Sequence, residues 1–178
     1  MHKEYYITKS DKVSLFKDIK FLIRKLSLDV EYDYVTFTTS SSAFTKEIAS
    51  SISETRDIPL LDVSESIKKA KWGAVKNELI MMTESGILDG ELTRKIKKVI
   101  RKNRNKSPNS DVEMKNMSDF SVRELINPFV CKGACPGLVG KKVLIVDDMC
   151  RSGSSCSKFA DLLSESSGCT HDELVFFM

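Results

Sequence analysis

Histidine is almost missing from this sequence: His2 and His171 are the two it has. That bears on the five cysteines, at 131, 135, 150, 156 and 169. Cys131 and Cys135 are close together, but a zinc site wants four ligands, usually as two such pairs. No second pair exists, so the cysteines read as reduced structural thiols. Their odd number also argues against a disulfide framework. No apolar run reaches the roughly 18 residues of a membrane span. Met1-His2-Lys3-Glu4-Tyr5-Tyr6 lacks the basic-then-apolar layout of a secretory leader. The expectation is a cytoplasmic protein with no membrane partner. No internal repeat is visible. The 178 residues leave room for one sizeable core, and 41% apolar with 30% charged residues is ordinary for a globular chain.

The net charge of +3 is unremarkable, but its distribution is not. Between Lys68 and Lys106 stand 12 Lys/Arg against four acids (Glu78, Glu84, Asp89, Glu91), a balance of +8, which leaves −5 for the remainder. The densest part, "TRKIKKVIRKNRNK" (93–106), holds eight basic residues and no acid.

Apolar spacing predicts a helix over 14–28 with Leu15, Phe16, Ile19, Leu22, Ile23 and Leu26 turned inward. "EYDYVTFTTSSS" (31–42) is β-branched and aromatic, reads as a strand, and runs into small hydroxyl residues. "AFTKEIASSI" reads as a helix and 57–65 as a second short strand. Helices are expected up to Gly86 and over "DGELTRKIKKVIRKNRNK", with Leu92, Ile96, Val99 and Ile100 on one face. "SPNSDVEMKNMSD" is polar and turn-rich and reads as a mobile loop. "FSVRELINPF" gives a turn or two of helix before Pro128. Gly133, Pro136, Gly137 and Gly140 mark a connector to a last strand, loop, helix and strand. Alternating strands and helices predict an α/β fold, with a mainly parallel twisted sheet flanked by helices and a helical and loop insertion at 68–130. In such sheets ligands lie beyond the carboxyl ends of the strands.

The most informative stretch is "KKVLIVDDMCRSGSSCSKFADLL" (141–163). Val143–Val146 has the continuous apolar character of a strand buried on both faces. Ionised carboxylates inside such a strand would lose several kcal/mol of solvation. Asp147 and Asp148 are therefore expected at its end, where the chain turns out of the sheet. There they can accept hydrogen bonds from the hydroxyls of a sugar diol, or hold Mg²⁺ directly or through water. In "CRSGSS", Gly153 lets backbone approach a ligand, and Ser152, Ser154 and Ser155 offer hydroxyls. Backbone N–H groups there, and the start of the following helix, suit a phosphate. Together these describe a ribose 5-phosphate site.

"VLIVDDMCRSGSS" resembles the phosphoribosyl pyrophosphate motif of the type I phosphoribosyltransferases: an apolar strand, two acids, then a small-residue Ser/Thr-Gly loop. The resemblance covers roughly 141–165. It implies a single phosphoribosyltransferase-like domain over 1–178, with 68–130 as flexible loop and hood. Asp147 and Asp148 would be the catalytic acids on the ribose hydroxyls. Arg151, Ser152, Gly153, Ser154 and Ser155 would hold the 5-phosphate. Ser40, Ser41, Ser42 and Ala43 stand where the family binds pyrophosphate. Arg151-Ser152 replaces the Thr-Thr or Asp-Thr of many members, and the 38–42 loop lacks the family's glycine. "RELINPF" before the motif strand is similar to competence-type, ComF-like transferases. The implied reaction is Mg²⁺-dependent transfer of the phosphoribosyl group to a nucleobase-like acceptor with release of pyrophosphate, in a family where homodimers are common. Lys68, Lys69 and Lys71 are candidates to neutralise the pyrophosphate.

A second reading keeps the fold as a binding or regulatory module without turnover. It contacts nucleic-acid phosphates through Lys97, Lys98, Arg101, Lys102 and Arg104, for example in a defence or competence nucleoprotein system. No aromatic residue interleaves that block, so base stacking is not implied. A relative of phosphoribosyl pyrophosphate synthetase, which needs a second homologous domain, ranks below both.

Overall fold

The computed structural model describes residues 9–25, 30–39, 43–114, 117, 119–135, 137–149 and 154–177. Their elements, in chain order, are α1 (Lys9–Lys25), β1 (Tyr34–Phe37), α2 (Ala43–Arg56), β2 (Ile67–Lys69), α3 (Trp72–Glu84), α4 (Gly90–Lys102), α5 (Phe120–Leu125), β3 (Phe129–Cys131), β4 (Lys142–Met149), α6 (Ser154–Ser167) and β5 (Thr170–Phe177). β1, β4 and β5 form a three-stranded sheet in the order β1-β4-β5, parallel throughout. α1 and α2 cover one face and α6 the other.

Alternation along the strands explains both covers. Val35, Phe37, Leu144 and Val146 point to one side and pack with Ile19 and Ile23 of α1 and Ile48, Ala49 and Ile52 of α2. Val143 and Ile145 point to the other and meet Cys156, Phe159, Ala160 and Leu163 of α6. α1 departs from expectation. It buries Ile19 and Ile23, an i,i+4 stripe, while Leu22 is 55% exposed. A helix that lies on the edge of one core needs only one stripe; Leu26 and the side chains of Leu15 and Phe16 lie outside the described residues.

The insertion has a core of its own. Trp72, Val75 and Leu79 of α3 pack with Ile96 and Val99 of α4, with Val122 and Ile126 at α5, and with Ala70, Val112 and Met117. Asp89 caps α4 by accepting from the Leu92 N–H at 2.7 Å. Residues 107–112, the first part of the expected mobile loop, form a strap along 70–73. The N–H groups of Trp72 and Gly73 donate to the carbonyls of Ser110 and Pro108, and Val112 N–H donates to Ala70, all at 2.8–2.9 Å. Gly73 permits this crossing, since a Cβ there would lie 2.9 Å from Pro108 Cβ. The expected strand at 57–65 is reduced to one parallel bridge, Leu60 to Val35. Pro59 lacks an N–H, which limits any longer ladder.

Two contacts join this hood to the sheet. β2 and β3 form an antiparallel ribbon, and its Ile67 and Phe129 enter the α6-side core. There the Phe129 and Phe159 rings meet edge-on at 5.3 Å. Beside them Lys158 of α6 donates to the carbonyls of Arg123, Glu124 and Ile126 at 2.9, 2.7 and 2.7 Å. These are acceptors at the end of α5, where helical carbonyls run out of backbone donors; the Arg123 carbonyl also accepts from the Ile126 N–H at 3.2 Å. Burial pushes the Lys158 ammonium below the usual lysine range.

At the amino end of the sheet, Lys142 Nζ lies 2.9 Å from Asp172 Oδ2, which also accepts from the Tyr32 hydroxyl at 2.7 Å. Asp33 accepts from the Lys142 N–H at 2.8 Å and from Lys141 Nζ at 2.9 Å. These partners hold both carboxyls below the ordinary range, through Lys142 and Tyr32 for Asp172 and through the Lys142 amide and Lys141 for Asp33. Burial, then Asp172, pushes Tyr32 up to about 12. Among the described residues no helix is long and apolar enough to cross a membrane.

Two expectations follow from these joints. The lowered carboxyl pKa values give stability that is present above the unfolded value of about 4 and is lost as pH falls through the folded values. Denaturation midpoints should drop from pH 5 to pH 3, and Asp172→Asn should flatten part of that drop; an unchanged pH profile in the variant would remove Asp172 from the account. Lys158→Met removes the ammonium from the Glu124 and Ile126 carbonyls and leaves the Arg123 carbonyl with the Ile126 N–H alone. It should cost about 1–3 kcal/mol, a Tm loss of several degrees, and speed amide exchange across 120–126. Unaltered exchange would mean that the Phe129–Phe159 contact holds the hood alone.

Candidate functional site

After β1 the chain passes through α2 to Leu60, which lies along the free side of β1, with Val35 N–H donating to Pro59 and Leu61 N–H to Val35. β4 pairs on the other side of β1 and leads into α6 on the opposite face. Adjacent strands whose connections diverge in this way open a crevice at their carboxyl ends, the usual ligand position in parallel sheets.

Thr38 and Asp147 meet there. Thr38 continues β1, its N–H donating to Val146 at 3.2 Å. Its hydroxyl donates to Asp147 Oδ1 at 3.0 Å, and both residues are buried. This corrects the expected placement of the acids. β4 does not end before them but runs to Met149, and Asp147 pairs with Val175 within the ladder. The hydroxyl of Thr38 offsets part of the cost of a carboxylate inside the strand. The side chain of Asp148 lies outside the described residues.

The insertion contributes to two concavities, neither of them lined by Asp147. Ser155, in the first turn of α6, lines a concavity of about 210 Å³ with Lys69, Glu113 and Phe129. Lys69 also lines a second concavity, of about 330 Å³, with Thr39, Lys68, Lys71, Lys132 and Asp111. Four lysines and one aspartate thus line it. Lys71 is paired to Asp111 at 2.6 Å and Lys68 to Glu65 at 3.4 Å. Lys69 and Lys132 have no acidic partner among the described residues. The Thr39 hydroxyl oxygen is buried and has no hydrogen-bond partner among the described residues. Unpaired cations beside an unsatisfied hydroxyl suit a multiply charged anion with several acceptor oxygens.

The other expected site residues fall as follows. Ser154 opens α6. Ser40, Ser41, Ser42, Arg151, Ser152 and Gly153 lie outside the described residues. Ala43, expected in the pyrophosphate loop, is the exposed first residue of α2 and lines a separate concavity with Lys20, Lys46 and Glu47. Lys97, Lys98, Arg101, Lys102 and Arg104 are exposed on α4 and the turn after it, and none lines either crevice concavity. Cys135, Cys156 and Cys169 are buried thiols and Cys131 is an exposed one. Among the described residues no three His, Cys, Asp or Glu side chains gather as a metal cage.

Thr38, Thr39 and Lys132 are site residues that sequence reading did not single out. Thr38 and Thr39 lay within the hydroxyl-rich run, but the serines after them drew attention. Lys132 follows β3, a strand with no sequence signal of its own.

Thr38→Val removes one donor to a buried carboxylate while keeping the shape. It should destabilise the protein by about 1–2 kcal/mol, and much less in an Asp147→Asn background, as a double-mutant cycle in denaturant would measure. Additive losses would mean that the two side chains are uncoupled. No protein-family model matches the chain, and no curated protein is significantly similar to it.

Proposed function

We propose that the crevice binds phosphoribosyl pyrophosphate with Mg²⁺, in a type I phosphoribosyltransferase-like fold, and that the protein transfers the phosphoribosyl group to a nucleobase-like acceptor. The observation that carries this reading is the arrangement at the carboxyl edge of the sheet. A buried aspartate lies near the carboxyl end of β4, a helix start follows seven residues later in the motif, and a lysine-lined concavity reaches Thr39, the residue after the Thr38 that bonds the aspartate.

In this reading Asp147 and Asp148 accept from the ribose hydroxyls. Arg151 to Ser155, with the start of α6, take the 5-phosphate. The pyrophosphate lies toward Thr39, Lys69 and Lys132. Mg²⁺ would be held by Asp147 and Asp148, directly or through water, and would supply charge neutralisation for the leaving pyrophosphate. The acceptor nitrogen forms a bond to C1 as the C1–oxygen bond to pyrophosphate breaks, and the bonding electrons leave with the pyrophosphate. Positive charge develops on the ribose ring, so the work of the side chains is positioning and stabilisation of the departing anion.

Calorimetric titration with phosphoribosyl pyrophosphate and Mg²⁺, with ribose 5-phosphate alongside, tests the reading. Micromolar binding that requires Mg²⁺ is expected, lost by tenfold or more in Asp147→Asn/Asp148→Asn. Lys69→Gln/Lys132→Gln should weaken phosphoribosyl pyrophosphate but not ribose 5-phosphate. Pyrophosphate release on adding bases then identifies the acceptor. Absence of binding by the folded protein would overturn the proposal. Binding without release under any acceptor would leave a binding module and exclude the transferase.

A further inference from the structure

α4 carries two opposed faces. Ile96 and Val99 are buried in the hood core, and Leu92 and Ile100 pack against it. At about 100° per residue, Arg94, Lys97, Lys98, Arg101 and Lys102 fall within an arc of about 140° on the far side. All five are exposed, as is Arg104 just after the helix. None has an acidic partner among the described residues. From Arg94 onward no acid interrupts the face. Lys95, which lies to one side, is the contrast: it pairs with Glu91 at 2.9 Å and approaches Asp119 at 3.9 Å. The fold thus neutralises the cation at the edge of the helix and leaves the outer ones in mutual repulsion. Arg94–Lys98, Lys97–Arg101 and Lys98–Lys102 are all like-charge i,i+4 pairs, which weaken a helix that finds no external counter-charge.

We infer that this face of α4 binds the phosphate backbone of double-stranded nucleic acid without reading its sequence. Five charges spaced over about 12 Å of helix meet a duplex that presents one negative charge per about 1.7 Å of axis. The face has no aromatic side chain on which unpaired bases could stack, so a single strand gains little. The apolar residues of α4 are committed to the hood core, so none is left to enter a bilayer, as a membrane-surface helix requires. The inference does not depend on the sugar-phosphate reading of the crevice.

The test is fluorescence anisotropy of the full chain with labelled 20-base-pair DNA and RNA duplexes of scrambled sequence, and with the matching single strands, across 50–300 mM KCl. Five neutralised phosphates give a slope of log K against log salt near −4.5, which is about a 500-fold fall between 50 and 200 mM. Sequence should not matter, and the DNA and RNA arms show which duplex is preferred. Lys97→Gln/Lys98→Gln/Arg101→Gln/Lys102→Gln should reduce the slope to near −1 with its thermal melt retained, because glutamine keeps helix propensity. Lys17→Gln/Lys20→Gln on α1 should bind like the parent. Should the fourfold variant fail to fold, the parent's salt slope decides alone. The inference is overturned by no duplex binding at 50 mM, by salt-insensitive binding, by a folded fourfold variant with parental affinity, by tighter binding of single strands, or by binding confined to anionic vesicles.

Discussion

The parallel pairing of β1 with β4 is the constraint on which the other elements depend. Tyr34 to Phe37 lie beside Val143 to Val146, and the chain between must make a crossover because parallel neighbours cannot be joined by a hairpin. The whole hood is built within that crossover. Both faces of the pair are apolar, so helices cover both, and connections that leave on opposite faces open the crevice between the strand ends. The same burial carries its cost. Val143, Leu144, Ile145 and Val146 are each 0–2% exposed and contribute about 1.5–3 kcal/mol apiece. That suffices to hold one buried carboxylate in the strand when Thr38 offsets part of its desolvation.

The width of the crevice is set by α6. Its first turn contributes Ser155 to one wall, and Lys158, one turn on, grips the end of α5. The ribbon that carries Lys69 is held to the same helix through Phe129 and Phe159. Both walls are therefore fixed to one rigid element, with an ammonium and an aromatic edge contact as the fasteners. A long flexible lysine suits this position because three carbonyls at the end of a short helix point in different directions, and its three N–H donors can meet them.

Elements with a strong local signal were legible in the sequence. The apolar run at Val143–Val146, the β-branched Tyr34–Phe37 and the one-sided pattern of Ile96 and Val99 each specify their element without help from distant residues. What could not be read depended on partners far along the chain. β2 and β3 are three residues each and exist because they pair with one another. The strap at 107–112 looked like a loop because its hydrogen bonds go to 70–73 and leave no periodic trace. Asp147 stands out in the sequence as an acid after an apolar run, but its place inside the strand involves a bond from Thr38, 109 residues away. Leu22 failed for the opposite reason, since helical spacing gives the arc that could be buried and not how much of it the core will cover.

The excess of positive charge in the insertion is divided by the hood's own core. Lys68, Lys69 and Lys71, with Lys132, face the crevice from the ribbon, whereas the α4 cations lie on the side of that helix opposite Ile96 and Val99. A helix is itself about 10 Å across, and the Debye length at physiological salt is about 8 Å. The outer charges are therefore largely screened from the crevice, and solvent counter-ions answer them first. The ribbon lysines face a confined space where fewer counter-ions enter, so a bound anion must do more of the neutralising. One basic segment can in this way present two electrostatically independent surfaces. A small anion inside and a polyanion outside would each find cations that the fold has left unpaired, and neither would need the other in order to bind.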